Sequence, residues 1–287
     1  MKPIEQILLV LKRLLDTKQG LLVILLLAFV LTLPSVQVGL QMDDYLIEDK
    51  LLKDNGEPRS TPPIFSLFTF TPENPEAKQE MLTNGSMSWW NFDTIRLAFL
   101  RPLSELTHWL DFYLFNDAVW VMHLHSILWY VLVCFILYLV YRRFMGATWV
   151  AGFAALLFAI DNSHAIPVEW LCNRNVLIAS VFGALALLLH HRYREKQWVI
   201  GLLGAPLCFM LSLGAAEAGV AFFAYLFAYA LVLDQGARFQ RFLSILPYVF
   251  IVMMWGILRV SYDFSAIQAG ETREPTDLLL RLPQVAR

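Results

Sequence analysis

Charge is scarce in this chain: only 16% of its 287 residues are Asp, Glu, Lys or Arg. A soluble domain carries about 25%, so there is too little charge here to coat a water-facing surface. Cysteine is scarce as well. Cys134, Cys172 and Cys208 show no CxxC spacing, and the first and last lie inside apolar runs, where a thiol acts as a small hydrophobe. Neither a disulfide framework nor a zinc site is indicated. There is no HExxH, GxSxG, Walker A loop or GxGxxG, which leaves intramembrane proteolysis, ATP-driven transport and nucleotide-cofactor redox chemistry without support. No repeat or low-complexity tract is present. The net charge of −2 offers nothing global to recruit nucleic acid.

Apolar residues are what the chain has in excess: 58% hydrophobic and 14% aromatic, with a mean hydropathy of +0.56. A bilayer core of about 30 Å takes roughly 20 apolar residues per helix. Seven segments approach that, near 21–40, 118–141, 147–160, 175–190, 198–213, 215–233 and 242–261. The expectation is an all-α, polytopic transmembrane bundle of about seven spans. The third, fourth and fifth are short, as in broken or tilted helices around a site, or as boundaries displaced by a few residues. The first is long, follows an amphipathic stretch and lacks a small-x-small cleavage site, so it reads as a span and not a signal peptide. Before it, Ile4, Ile7, Leu8, Leu11, Leu14 and Leu15 fall on one helical face of Pro3–Leu15, which predicts an interfacial helix on the membrane surface. A partner-binding helix is the alternative.

Charge sets the expected orientation. With the N-terminus cytoplasmic, the inner segments 1–20, 142–146, 190–197 and 234–241 hold eleven Lys and Arg against four Asp and Glu. The two short outer loops contribute only Arg174, as the positive-inside rule requires. The domain plan is a cytoplasmic interfacial helix (1–20), a transmembrane module (21–261) whose first outer loop is long (41–117), and an extracytoplasmic tail (262–287). In the long loop, residues 54–63 and 71–76 are turn-rich, and Trp89 and Trp90 suit an interfacial anchor. Pro102 suits a first helical turn. Leu103, Leu106, Leu110 and Tyr113 then recur at helical spacing, predicting an amphipathic helix along the outer surface over 102–115.

Candidate chemistry gathers on that side. Asp43 and Asp44 stand where the first span leaves the membrane. Adjacent carboxylates near a low-dielectric boundary raise each other's pKa, which suits a general base for an acceptor hydroxyl. They could equally hold a divalent metal, or simply begin an acidic loop. The segment 161–174 carries Asp161, His164, Glu169 and Arg174 between two spans, Glu217 interrupts an apolar run, and Arg101 heads the amphipathic helix. Ionisable groups at membrane depth are costly and suggest function, and arginine suits phosphate oxygens. A structural ion pair is the plainer reading of Arg174 and Glu217. His123 and His125 are two apart on a helix and face different ways, which disfavours joint metal ligation. His190 and His191 abut a basic inner loop and suit headgroup contact.

An interfacial helix, a first span, then Asp43-Asp44 opening a long outer loop with an amphipathic helix resembles the GT-C superfamily of integral-membrane glycosyltransferases. Phe158 through Arg174, and Arg101-Pro102-Leu103, look like runs of its protein O-mannosyltransferase-like branch. Asp161 and Asn162 stand where that branch carries His-Pro, Glu169 lies three residues after its expected glutamate, and Ala216 replaces the lysine before Glu217. His164 and Arg174 fall on matching positions. The resemblance implies inverting transfer of a sugar from a polyprenyl-phosphate lipid carrier to an extracytoplasmic acceptor. It implies Asp43 or Asp44 as base, Arg174 and Arg101 on the lipid phosphate, and His164, Glu169 and Glu217 around the substrate. The expected partners are membrane lipid and the lipid-linked donor, with no nucleic acid and no identified protein partner. No certain cofactor is implied. Superfamily members carry further C-terminal spans, whereas this chain ends at Arg287 and reads as truncated, a fragment or a minimal form. A lipid-carrier binding or translocating protein without chemistry, or a structural membrane subunit, are the alternatives. Asp43, Asp44, His164, Arg174 and Glu217 are expected to line one outer cavity.

Overall fold

The computed structural model describes residues 3–53, 56–72, 74–84, 96–116, 118–262 and 264. Trp89, Trp90 and nearly all of the tail lie outside these. Among the described residues the protein is all-helical, with two isolated antiparallel bridges, Leu52 to Pro58 and Thr69 to Ala98.

The first helix, α1 (Pro3–Leu15), ends in a tight elbow before α2 (Lys18–Thr32). Thr17 caps α2 by accepting the Gly20 amide at 3.2 Å. A side chain at Gly20 would collide with the Leu14 carbonyl at 2.2 Å, so glycine permits the elbow. Pro34 then turns the chain into a 3₁₀ segment, Leu33–Gln37, completing a 20-residue apolar helix.

Among the described residues three helices occupy the stretch before the next long one. They are α3 (Asp44–Leu51), α4 (Pro75–Thr83) and α5 (Pro102–Phe115). The remaining elements are α6 (Val119–Phe144), α7 (Trp149–Ile160), α8 (Ala165–Glu169), α9 (Arg174–Lys196), α10 (Val199–Ala215), α11 (Ala221–Ala228), α12 (Arg238–Leu243) and α13 (Leu246–Ser261). Among the described residues four continuous helices are long and apolar enough to cross a membrane: Lys18–Gln37, Val119–Phe144, Leu171–Lys196 and Arg238–Ser261. The pair Trp149–Ile160 and Asn162–Glu169 makes a fifth if counted together, bent by 50°. Asp161 causes the bend. Its carboxylate accepts the Ser163 amide at 2.9 Å and starts a new helical turn in another direction. Val199–Ala215 and Glu217–Leu233 are apolar but shorter. The protein is thus a membrane-embedded helical bundle.

Helix α9 is the hub. One core joins it to α2, α6 and α7 through Ile24, Ala28, Ile127, Tyr130, Ala155 and Leu177. A second joins it to α10, α11 and α13 through Ala186, Ala205, Phe209, Leu226 and Tyr248. Small residues let the backbones approach, as membrane helices require when hydrophobicity no longer drives association. Ser212 Oγ donates to the Ala179 carbonyl at 2.7 Å across the α9–α10 contact.

Helix α5 has the expected bounds, but its faces are sorted unusually. Ser104, Glu105, Thr107, His108 and Asp111 are buried, while Leu106, Leu110, Tyr113 and Leu114 are exposed. Its polar stripe points into the protein and its apolar stripe points out, where a lipid environment would cover it.

Candidate functional site

The polar face of α5 seeds the site. Arg174 opens α9 and is fully buried. Its guanidinium donates to Asp111 Oδ2, to Ser126 Oγ at 2.8 Å and to the Met122 carbonyl at 2.8 Å. His125 Nδ1 lies 2.7 Å from the other Asp111 oxygen. The Trp129 indole, which can only donate, gives its N–H to His125 Nε2 at 2.9 Å. The imidazole proton therefore sits on Nδ1 and faces Asp111. Burial pushes the Asp111 carboxyl up, but Arg174 and His125 outweigh it and hold it below the usual carboxylate range. All of this joins α5, α6 and α9 into one polar strut.

A second ion pair lies at the junction of α5 and α10. Arg101 Nε donates to Glu217 Oε2 at 2.9 Å. The local fold explains the meeting. Ala216 is extended (φ −157°, ψ 155°), which ends α10 and turns Glu217 into a short 3₁₀ segment. Ser104 Oγ donates to the Ala215 carbonyl at 2.9 Å, pinning the start of α5 to the end of α10. The Arg101 guanidinium lies over the rings of Phe99 (4.2 Å) and Phe68 (5.2 Å). Glu217 Oε1 is buried and has no partner among the described residues.

The two aspartates differ. Asp44 is buried, and its carboxylate accepts the amides of Gln41 (3.0 Å) and Cys172 (2.7 Å). It ties the start of α3 to the turn ahead of Arg174. Burial raises its pKa and those amides oppose the rise. Asp43 is half-buried and makes no side-chain cap to α3. Burial raises its pKa too, and the charge of Arg101 pulls it down. Asp43 is thus the open carboxylate of the two, in the field of Arg101. Among the described residues, no three His, Cys, Asp or Glu side chains gather as a metal site.

His164 is placed elsewhere. It packs tilted against Phe158 (4.1 Å between ring centres) and Tyr130 (5.6 Å) at the α7–α8 bend. Glu169 closes α8, and its backbone carbonyl accepts from Gln41 Nε2 at 3.3 Å. The structure therefore pairs Arg101 with Glu217 and leaves Asp43 within reach of the Arg101 charge. Arg174 is sealed in the polar strut with Asp111, and His164 lies at the α7–α8 bend. Arg174 and Glu217 each sit in an ion pair, with Asp111 and Arg101 as partners.

Sequence reasoning missed Glu105, His108, Asp111 and Arg259. The first three had a signal: polar residues at helical spacing inside an otherwise apolar helix. Glu105 is fully buried, and its Oε2 accepts the Phe65 amide at 2.5 Å. Burial pushes it up to about 7, against the pull of the Phe65, Phe68 and Leu67 amides. Lys50 Nζ holds the same turn from its other side through the carbonyls of Leu67 (3.1 Å) and Thr69 (2.5 Å). Burial also holds the His108 imidazole down, to about 3.

Beside the pair lies an apolar groove of about 340 Å³, lined by Leu100, Pro102, Leu213, Gly214, Phe250, Met254, Trp255 and Leu258. Leu100 and Pro102 flank Arg101 in sequence. Arg259 follows Leu258, lies over the Trp255 ring at 4.7 Å, and its Nε is buried without a partner among the described residues. No family model, curated protein or solved structure matches the chain.

Proposed function

We propose that the protein is a membrane glycosyltransferase of GT-C type, taking a sugar from a polyprenyl-phosphate lipid carrier at its extracytoplasmic face. One observation carries the reading. Residues adjoining Arg101 and Arg259 in sequence, Leu100, Pro102 and Leu258, line an apolar groove, and the charge of Arg101 acts on a half-buried carboxylate, Asp43, whose pKa burial raises. In this reading the groove takes the lipid tail, the arginines take the phosphate, and Asp43 supplies the base. In this reading α10 and Glu217–Leu233 complete seven spans, and the basic ends of α6 and α9 face the cytoplasm.

The reaction follows from these places. Asp43 takes the proton of the acceptor hydroxyl. The acceptor oxygen attacks the anomeric carbon from the face opposite the phosphate, and the bond between that carbon and the phosphate oxygen breaks. The polyprenyl phosphate leaves with the electron pair, its growing charge met by Arg101 and Arg259. Arg174 is fully buried and hydrogen-bonded, so the phosphate role implied for it passes to Arg259. Glu217 holds Arg101 and keeps one oxygen free for a substrate hydroxyl. Asp44 and Arg174 position the aspartate turn. No step needs a metal at Asp43 and Asp44.

The test is sugar transfer from a synthetic polyprenyl-phosphate donor in membranes. Asp43→Asn should lower turnover by about 10²–10⁴-fold while donor binding survives. Wild-type turnover in Asp43→Asn, with donor still bound, would leave a lipid-carrier binding protein as the better account.

A further inference from the structure

A second polar site lies at the other end of α9, unrelated to the groove above. His190 is sixteen residues beyond Arg174, about 24 Å along a helix. A cavity of about 480 Å³ opens there between α9, α10, α12 and α13, lined by His190, Arg194, Gln197, Gln240, Ser244 and Tyr248 among others. Among the described residues no carboxylate lines it.

His190 is 2% exposed. Its ring is held edge-on between Tyr229 and Tyr248, and its Nδ1 lies 3.0 Å from the Tyr248 hydroxyl. Its Nε2 is buried and has no partner among the described residues. With the Tyr248 hydroxyl donating to Nδ1, the ring proton stands on Nε2 as a donor without an acceptor. Leaving such a group unmet is costly, and a ligand oxygen would recover that cost. Arg194 adds a cation. Its Nε and Nη2 bind Asp234 at 2.6 and 3.3 Å, while Nη1 makes no hydrogen bond among the described residues. Gln197 and Gln240 bring further donors. Leu202 and Leu243, both exposed, put apolar surface at the rim. Donors within and apolar surface at the rim match an oxyanion attached to an acyl chain.

We propose that this cavity binds the phosphate of an anionic phospholipid headgroup, with His190 Nε2 and Arg194 Nη1 as its principal donors. The lipid would staple α12 and α13 to α9 at the basic end of the bundle. Free phosphate shares the chemistry, and the experiment separates the two sources.

The full chain, purified in dodecyl maltoside, is titrated with phosphatidylglycerol, phosphatidylcholine or inorganic phosphate. Apparent melting temperature and lipid retention in native mass spectra are read together. Phosphatidylglycerol should give a saturable rise in melting temperature and one retained lipid, and phosphatidylcholine a weaker effect. His190→Phe should abolish both responses. Gln240→Glu is a surface change at the cavity wall that adds a repelling charge, and should weaken phosphatidylglycerol binding about tenfold with the unliganded melting temperature unchanged. It keeps the proposal testable should His190→Phe fail to fold. Equal phosphatidylglycerol responses in wild type and Gln240→Glu would overturn the site. A saturable phosphate response that phosphatidylglycerol does not exceed would overturn the lipid assignment.

Discussion

The Asp111 carboxylate grips two partners at once, the Arg174 guanidinium through one oxygen and His125 Nδ1 at 2.7 Å through the other. Both Asp111 and Arg174 are buried. A buried charge stripped of its partner is far more expensive than the pair is favourable. Arg174→Ala and Asp111→Ala should therefore each destabilise the protein by roughly 3–5 kcal/mol. The double variant should fall well short of their sum, because it leaves no orphan charge. Apparent melting temperatures of the three variants in detergent check this. A full sum of the two losses would mean that the residues do not act as a pair.

The aspartates should separate by phenotype. Asp43→Asn should fold as wild type and lose transfer. Asp44→Asn keeps one acceptor oxygen but trades the other for an amide donor facing a backbone N–H. It should lose roughly 1–3 kcal/mol of stability and keep most of its turnover per folded molecule. Thermal stability and transfer, measured on the same samples, distinguish the two.

Arg259→Ala should weaken use of the lipid-phosphate donor. A hydrogen bond to a charged group is worth about 1.5–3 kcal/mol, or roughly 10- to 100-fold in donor affinity. Arg101→Lys should also impair it, since an ammonium cannot lie over the Phe99 ring and keep the Glu217 bond as a guanidinium does. Donor titrations of transfer should show the loss in KM for Arg259→Ala, with the fold unchanged by circular dichroism.

Glu105 gives a pH dependence. Its folded pKa, about 7, lies above the ordinary value of 4.5. The folded state holds the proton more tightly, so stability is full below about pH 4.5 and falls as pH rises towards 7. The span amounts to roughly 3 kcal/mol. Glu105→Gln keeps the acceptor for the Phe65 amide and cannot ionise, so it should flatten this part of the stability profile. Melting temperatures from pH 4.5 to 8 would show an unchanged slope if Glu105 were not responsible.

Orientation is open to direct test. A reporter fused after Lys196 should read cytoplasmic and one after Asn84 should read outside. The reverse result for either would put Asp43 and the groove on the wrong face for a lipid-linked donor.

The sequence by itself determined the membrane setting, the helical class and several helix bounds. Hydropathy along 119–144 and the proline at 102 act through neighbouring residues alone, and such terms can be added up along the chain. The same holds for the distinct character of residues 43–44, which follow the end of an apolar run. It did not determine which face of α5 turns inward. An amphipathic pattern reports two faces, and the solvent on each side decides their direction: Leu106 and Leu110 seek lipid, so Glu105, His108 and Asp111 are driven inside. Nor did it determine the ion-pair partners. Arg174 pairs with Asp111 from 63 residues away and Glu217 with Arg101 from 116 residues away. Those pairings exist only because α5 packs between the start of α9 and the end of α10. Only the tertiary structure decides which charges meet, because a Coulomb interaction depends on distance in space and the chain records distance in sequence.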